Sequence, residues 1–276
     1  MLIPILVLSA AAEILVHGHR GARARMPENT IPAFEYAIKA GVDVLELDLA
    51  VTKDDVLVVS HDSFLHAPTC KGPVPKAVIR DLTLAEVRQW DCGVVPNPLF
   101  PHQQRIPGTR MPTLDEVFAL ASQGQFEFNV ETKIDRAKPE LSATPERFAQ
   151  LLVEAIVKHK LTARVIVQSF DYRTLIAIRN IRPEIRLSAL FTTTANEDYF
   201  TISKKAANAE FVSPIFNGVT LAKVKAAHAE GLKVVPWTPN TTPEWDKLID
   251  MGVDAIITDD PAALIAHLKQ RGLRKR

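Results

Sequence analysis

Lys39-Ala40-Gly41-Val42-Asp43-Val44-Leu45-Glu46-Leu47-Asp48-Leu49-Ala50 carries the two signals on which the fold turns. A helical pattern stops at a glycine, and a run of strand formers begins a few residues later. The same step recurs at Gln123-Gly124 before Phe126, at Glu230-Gly231 before Val234 and at Met251-Gly252 before Ala255. Such tight helix-to-strand turns belong to a parallel sheet with helices packed on its face. Helix starts are equally legible in Thr113 with Glu116 at capping-box spacing, in Thr144-Pro145, in Thr242-Pro243 and in Asp260-Pro261.

Apolar runs rich in Val, Ile, Leu and Phe at 14–18, 43–50, 55–60, 126–133, 164–169, 185–191, 210–213, 232–237 and 254–258 are candidate strands, most of them separated by helical patterns. This alternation fits a doubly wound sheet or a closed (β/α)8 barrel. Nine strands are one too many for an eight-stranded wall. Strands 43–50 and 55–60 are joined by only about four residues, too few for a crossover between parallel neighbours. The second is therefore expected to turn back as an antiparallel arm centred near Lys53 and Asp54, with Glu46 approximately opposite His61. The expected fold is α/β, a single TIM barrel over residues 13–276. Residues 62–112 break the rhythm: they hold eight of the 19 prolines and one short helix opened by Thr83-Leu84-Ala85-Glu86. An insertion of that length at a barrel rim is expected to be a lid or specificity element.

The totals narrow the function classes. With 276 residues, 47% hydrophobic and 24% charged, the chain can bury one large core and lacks the polar bias of disorder. Thirty-three basic against 32 acidic side chains give a net charge of +1, which excludes a general attraction to nucleic acid. The basic cluster Lys269, Arg271, Arg274, Lys275 and Arg276 reads as a solvated helix end. Residues 2–12 are apolar but fall far short of the roughly 20 residues of a membrane span, so no transmembrane anchor is expected. They resemble the end of a secretory signal with Ala10-Ala11-Ala12 at its cleavage site, though no Lys or Arg precedes them; a barrel-plugging segment is the alternative. A periplasmic or secreted location is the expectation, with a cytoplasmic one as its alternative. Cys70 and Cys92 could close a small loop in an oxidising compartment, and their spacing is not a zinc pattern.

Alternation along 43–50 turns Leu45, Leu47 and Leu49 toward the helices and Glu46 and Asp48 into the barrel. Strand 126–133 repeats the feature, with Phe126, Phe128 and Val130 outside and Glu127, Asn129, Glu131 and Lys133 on the other face. Salt bridges between strands are the competing explanation for inward acids. Three carboxylates, Glu46, Asp48 and Glu131, would suit a hard cation, Mg2+ or Ca2+, because no sulfur or nitrogen ligand joins them. Lys133 stands where it can meet an anion beside that ion. Strand 1 runs through His17-Gly18-His19 into Arg20-Gly21 at the catalytic rim of such a barrel. The glycines are expected to let backbone approach a ligand, and the Arg20 fork matches phosphate oxygens. His61-Asp62 brings a second imidazole near the proposed ion, and two histidines flanking a phosphate suit one base and one acid.

His19-Arg20-Gly21, five further residues, and Pro27-Glu28-Asn29-Thr30 open an ordered set of motifs. Glu46-x-Asp48, His61-Asp62, the long insertion, Pro112-Thr113-Leu114, Glu131-x-Lys133, Gln168-Ser169-Phe170, Trp237 and Thr258-Asp259-x-Pro261 follow. The set resembles the glycerophosphodiester phosphodiesterase family over nearly the whole chain. That resemblance implies a (β/α)8 barrel that uses a divalent cation to hydrolyse a small glycerophosphodiester to glycerol 3-phosphate and an alcohol. It implies His19 and His61 as the acid/base pair and Glu46, Asp48 and Glu131 as metal ligands. Arg20 and Lys133 would hold phosphate, Trp237 would give the substrate a flat apolar wall, and Glu28 and Asn29 would shape the first loop. His17, His66 and His102 have no motif support. One rival is a lysophospholipase D-type enzyme acting on lipid phosphodiesters, with Phe64, Leu65, Trp90, Leu99 and Phe100 either lining an acyl channel or forming the insertion's own small core. A second, a non-catalytic phosphate-binding barrel, is opposed by the presence of both histidines and all three acids.

Overall fold

The computed structural model describes residues 13–192 and 197–275; the expected leader at 1–12 lies outside the described residues. Strands β1 (Leu15–Gly18) and β2 (Val44–Val51) are followed by three short ones, β3 (Leu57–Val59), β4 (Phe64–His66) and β5 (Lys76–Val78). Then come β6 (Glu127–Thr132), β7 (Val165–Ser169), β8 (Arg186–Phe191), β9 (Phe211–Pro214), β10 (Lys233–Val234) and β11 (Ala255–Thr258). Helix α1 (Ile31–Ala40) joins β1 to β2, and α2 (Leu84–Val87) and α3 (Leu114–Ala119) precede β6. The rest alternate: α4 (Pro145–Lys158), α5 (Tyr172–Ile181), α6 (Tyr199–Lys205), α7 (Leu221–Ala229), α8 (Thr242–Asp250) and α9 (Pro261–Gln270).

The wall strands run β10-β9-β8-β7-β6-β2-β1-β11, all parallel. The Asp254 N–H donates to Val234 O at 3.0 Å and the Ile257 N–H to Pro236 O at 3.0 Å, which closes the sheet into the expected barrel. β10 is shorter than its apolar run because Pro236 has no N–H to give the ladder; pairing resumes at Trp237. The outer faces are apolar as the alternation requires. Leu45, Leu47, Leu49, Phe128 and Val130 pack with Phe34, Phe118 and Phe148 in one core between sheet and helices. The inner face is polar around the acids, where His17, Glu46, Asp48, Asn129, Glu131, Gln168, Ser188 and Ser213 are all buried, and apolar on the β10–β11 side, where Val235, Ala255 and Ile257 form a small core of their own. Apolar side chains usually fill such an interior; here hydrogen bonds share that task, as between the Ser188 and Ser213 hydroxyls at 2.8 Å.

β3 turns back on β2 as expected, but its register differs by one residue. Leu49 faces Val59 and Val51 faces Leu57, and the Ser60 N–H reaches Asp48 O at 3.0 Å. The Thr52 N–H donates to Val56 O at 3.0 Å, which centres the turn on Asp54 rather than between Lys53 and Asp54. His61 is therefore carried toward Asp48 and Glu131 instead of standing opposite Glu46.

The segment after β3 has a small core of its own, in which Leu65, Ile79, Val87, Trp90 and Met111 surround the Cys70–Cys92 disulfide and rest on Ala50 and Val58 of the barrel. The antiparallel pair β4–β5, Phe64 facing Val78 and His66 facing Lys76, was not expected among so many prolines. Lys53 N–H to Leu82 O at 2.8 Å and Arg80 to Asp55 at 2.8 Å bind the segment to the hairpin turn. Capping boxes at Thr83 and Thr113 are formed as read. Before α8 the cap is Thr241, whose N–H donates to Glu244 at 3.0 Å; Thr242 already lies in the helix.

Candidate active site

The alternation that buries Leu45 and Leu47 outside aims Glu46 and Asp48 into the barrel, and register sets Asp48 level with Glu131 on the next strand. Carboxylate oxygens of Glu46, Asp48 and Glu131 lie within 4.8 Å of one another, all three residues being buried. Glu46 accepts from the Arg20 backbone N–H and from Gln168 Nε2, each at 2.8 Å. Asp48 accepts from Asn29 Nδ2 at 2.9 Å and lies 3.2 Å from Arg20 Nε. The Lys133 ammonium donates to Glu131 at 2.7 Å and stands 3.7 Å from Asp48.

Burial, and then the charges of Asp48 and Glu131, push Glu46 well above the ordinary carboxylate range. Burial raises Glu131 too, with Lys133 opposing and Asp48 reinforcing. Burial works the same way on Asp48, but Arg20 and Lys133 outweigh it and hold Asp48 ionised. Three like-charged ligands repelling one another in a dry interior fit a divalent cation, which removes the cause of that repulsion. An all-oxygen set without sulfur suits a hard ion of the Mg2+ or Ca2+ type.

Two imidazoles approach from loops at the same rim. His19 Nδ1 is 2.5 Å from Asp259 Oδ1, and Asp259 Oδ2 accepts from Asn240 Nδ2 at 2.8 Å. Burial lowers the pKa of His19, with Asp259 opposing. His61 Nδ1 is 2.8 Å from Asp62 Oδ1. Each ring thus has a carboxylate on Nδ1, an arrangement that fixes the tautomer and leaves Nε2 for other work. His17 lies inside the barrel near Asn129; burial, then Arg186, pushes its pKa down to about 3, so it stays neutral.

Arg20 has φ 49°, a left-handed backbone that costs a non-glycine residue roughly 1–2 kcal/mol. This geometry lets its N–H reach Glu46 while its guanidinium lies between Glu28, at 2.6 Å, and Asp48. The flanking glycines are required by the packing of the loop itself. A Cβ on Gly18 would meet Gly21 O at 2.2 Å, and one on Gly21 would meet the Ala33 carbonyl carbon at 2.7 Å. They allow the loop to pack closely on itself and on α1.

Trp237 is half-buried, donates from Nε1 to Ser213 O at 3.0 Å and meets Phe170 edge to face at 5.6 Å. Phe170 also lies 5.9 Å from the Lys133 ammonium and, with Phe64, Ile134 and Leu141, lines a groove leading to His61 and Glu131. Of the residues suggested for an acyl channel, Leu65 and Trp90 are instead spent in the insertion core. Phe100 sits under Arg23 at 5.0 Å, and Leu99 is exposed.

Several members of this constellation were not assigned roles from sequence. Asp259 stood within a quoted motif without a task, as did Gln168 and Phe170. Asn240 and His66 carried no local signal, because their partners are 19 and four residues away across loops.

The glycerophosphoryl diester phosphodiesterase family model matches residues 19–263. A glycerophosphodiester phosphodiesterase of Caldanaerobacter subterraneus subsp. tengcongensis is 31% identical over 258 residues, covering 94% of this chain and 99% of that one. A crystal structure from Silicibacter pomeroyi DSS-3, bearing the same family description, superposes with a TM-score of 0.87 at 29% identity and covers 95% of each chain. Lysophospholipase D GDPD1 of Rattus norvegicus is 26% identical over 271 residues, covering 89% of this chain and 83% of that one. With the barrel, the acidic centre and a match spanning nearly its whole length, this chain belongs to the glycerophosphoryl diester phosphodiesterase family and is a phosphodiester hydrolase.

Proposed function

We propose that the protein cleaves small glycerophosphodiesters to glycerol 3-phosphate and an alcohol, with His19 as base and His61 as acid. The observation that carries this reading is the convergence of Glu46, Asp48 and Glu131 beneath two imidazoles, each tied by Nδ1 to a carboxylate. A divalent cation, Mg2+ or Ca2+, held by Glu46, Asp48 and Glu131 would supply Lewis-acid stabilisation of the phosphate charge. Arg20 and Lys133 hold phosphate oxygens, their positive charge already concentrated at Asp48 and Glu131. Burial keeps His19 neutral and its Nδ1–H donates to Asp259, so its Nε2 lone pair takes the proton from the attacking hydroxyl, which belongs either to water or to the substrate's glycerol, the latter giving a cyclic phosphate that water then opens to glycerol 3-phosphate. As the new O–P bond forms and the ester P–O bond breaks, His61 Nε2 gives a proton to the departing alkoxide. The assignment of His61 as acid is supported by its place at the groove lined by Phe64 and Phe170, into which the alcohol departs.

A small head group is favoured over an acyl chain because Leu65 and Trp90 are committed to the insertion core, although the rat relative is named for lysophospholipids. The test is release of sn-glycerol 3-phosphate from glycerophosphocholine and from its long-chain acyl counterpart. The unacylated substrate is expected to turn over faster, and His19→Ala or His61→Ala to lower kcat about 10²–10⁴-fold. Undiminished turnover in either variant removes that residue from proton transfer, and preference for the acyl substrate overturns the choice of head group.

A further inference from the structure

Each catalytic imidazole heads a chain of three side chains. On the first arm His19 is tied to Asp259, whose other oxygen is held by Asn240. On the second His61 is tied to Asp62, whose other oxygen lies 2.9 Å from His66 Nε2. We infer that His66 is a positioning residue: it fixes the Asp62 carboxylate so that Asp62 holds the His61 ring with Nε2 toward the substrate. This inference rests on the reading of His61 as the acid.

The ring of His66 is set from both sides. Its Nδ1 lies 2.6 Å from Ala67 O, and a carbonyl oxygen can only accept, so that nitrogen carries a proton. Its Nε2 faces the Asp62 carboxylate, another acceptor. Both ring nitrogens thus face acceptors, Ala67 O on one side and the Asp62 carboxylate on the other, and the ring is held between them. Hydrogen bonds from His61 and, next, burial countered by His66 leave the Asp62 carboxyl well below its usual range. The other charged group across from His66 is Lys76, its β4–β5 partner, whose ammonium is turned over the Phe64 ring at 3.8 Å.

The backbone at this point is held as firmly as the ring. The His66 carbonyl accepts from the Thr69 N–H at 3.1 Å, the Cys70 N–H at 2.9 Å and the Thr69 hydroxyl at 2.8 Å. Cys70 is in turn bonded to Cys92. The insertion therefore delivers His66 to Asp62 from a braced turn. Asp62 and His66 are about a third exposed, at 37% and 30%, so water competes for these bonds and the expected effect is moderate.

Steady-state turnover of glycerophosphocholine with the cation present tests this in wild type, H66A, H66N, H66Q, D62N, D62N/H66A and H61A. H66A is expected to lower kcat about tenfold with KM within about twofold, and H66Q, which restores an N–H toward Asp62, to recover most of the loss. In the D62N background H66A should cost nothing further, since the partner through which it acts is already altered. H66N, too short to reach Asp62, reproduces the H66A result should that variant melt early. Wild-type kcat in both H66A and H66N, or an H66A loss of equal factor in wild type and D62N, overturns the inference. Wild-type turnover in H61A overturns the reading of His61 together with it. An inactive H61A beside unimpaired His66 variants removes only the positioning role.

Discussion

Glu46 and Asp48 stand two residues apart on the inner face of β2, and their surroundings push their pKa values in opposite directions. Arg20 and Lys133 gather around Asp48 and hold its carboxyl below the ordinary range, while burial and the charges of Asp48 and Glu131 push Glu46 above it. Identical burial gives opposite outcomes because the neighbours differ in sign.

The stability of the metal-free protein follows from that relationship. A carboxyl whose folded pKa is raised contributes full stability below the unfolded glutamate range, and that stability falls as pH rises toward the folded value. Buried His17 and His19, whose pKa values are lowered, act in the opposite sense over the same range, so the Glu46 contribution is read as the difference in melting between wild type and Glu46→Gln, which should widen from pH 5 to pH 8. Glu46→Gln should raise the metal-free Tm at pH 8 by at least about 2 °C and abolish the upward shift given by Mg2+ or Ca2+. A Glu46→Gln protein still stabilised by the cation would remove Glu46 from the ligand set.

The buried His19 gives a pH signature. Its pKa is lowered chiefly by burial, so the neutral base persists on the acid side of an ordinary histidine, near pH 6.5. The acid limb of the kcat/KM profile should fall below that value. Asp259→Asn removes an anion that opposes the lowering and releases the ring tautomer, so turnover should fall about a hundredfold or more. An unchanged rate in that variant would leave His19 without need of its partner.

Gly21 tests the backbone of the first loop. At φ 86°, with the Ala33 carbonyl carbon 2.7 Å from the place a Cβ would occupy, Gly21→Ala combines left-handed strain with a steric clash. It should cost at least about 2 kcal/mol in chemical denaturation and displace Arg20 from Glu46. A fully stable variant would mean that α1 can move aside.

The disulfide braces the second arm. Cys70 and Cys92 are 22 residues apart, for which chain entropy gives a stabilisation of about 3 kcal/mol. A Cys70→Ala/Cys92→Ala protein should lose stability of that order and some turnover, while circular dichroism still reports the barrel. Turnover unaffected by the loss would separate the insertion's brace from the placing of His66 and Asp62.

The barrel was legible because its signals are local. Gly41 before Val44, Thr113 with Glu116, and the alternation around Glu46 each depend on residues within one or two turns of chain. The hairpin was legible in kind but not in register, since the extra residue comes from the way Thr52 closes on Val56. The pair β4–β5 was hidden because Pro68, Pro73 and Pro75 lie in its connection, where they break no ladder. The acids of the site could be read from strand periodicity. Their partners could not: Asn240 meets Asp259 where β10 closes on β11, and Gln168 on β7 meets Glu46 across the intervening β6. His66 had no motif support although Asp62 lies only four residues before it, because the turn that brings the two side chains together falls in the irregular stretch.

The most direct test of the three-carboxylate centre is release of sn-glycerol 3-phosphate from glycerophosphocholine by protein stripped with a chelator, then supplied with Mg2+ or Ca2+. Turnover should vanish on stripping, return with a divalent cation in the wild type, and not return in Glu46→Gln. Full turnover by the stripped protein, or by Glu46→Gln, would contradict the account.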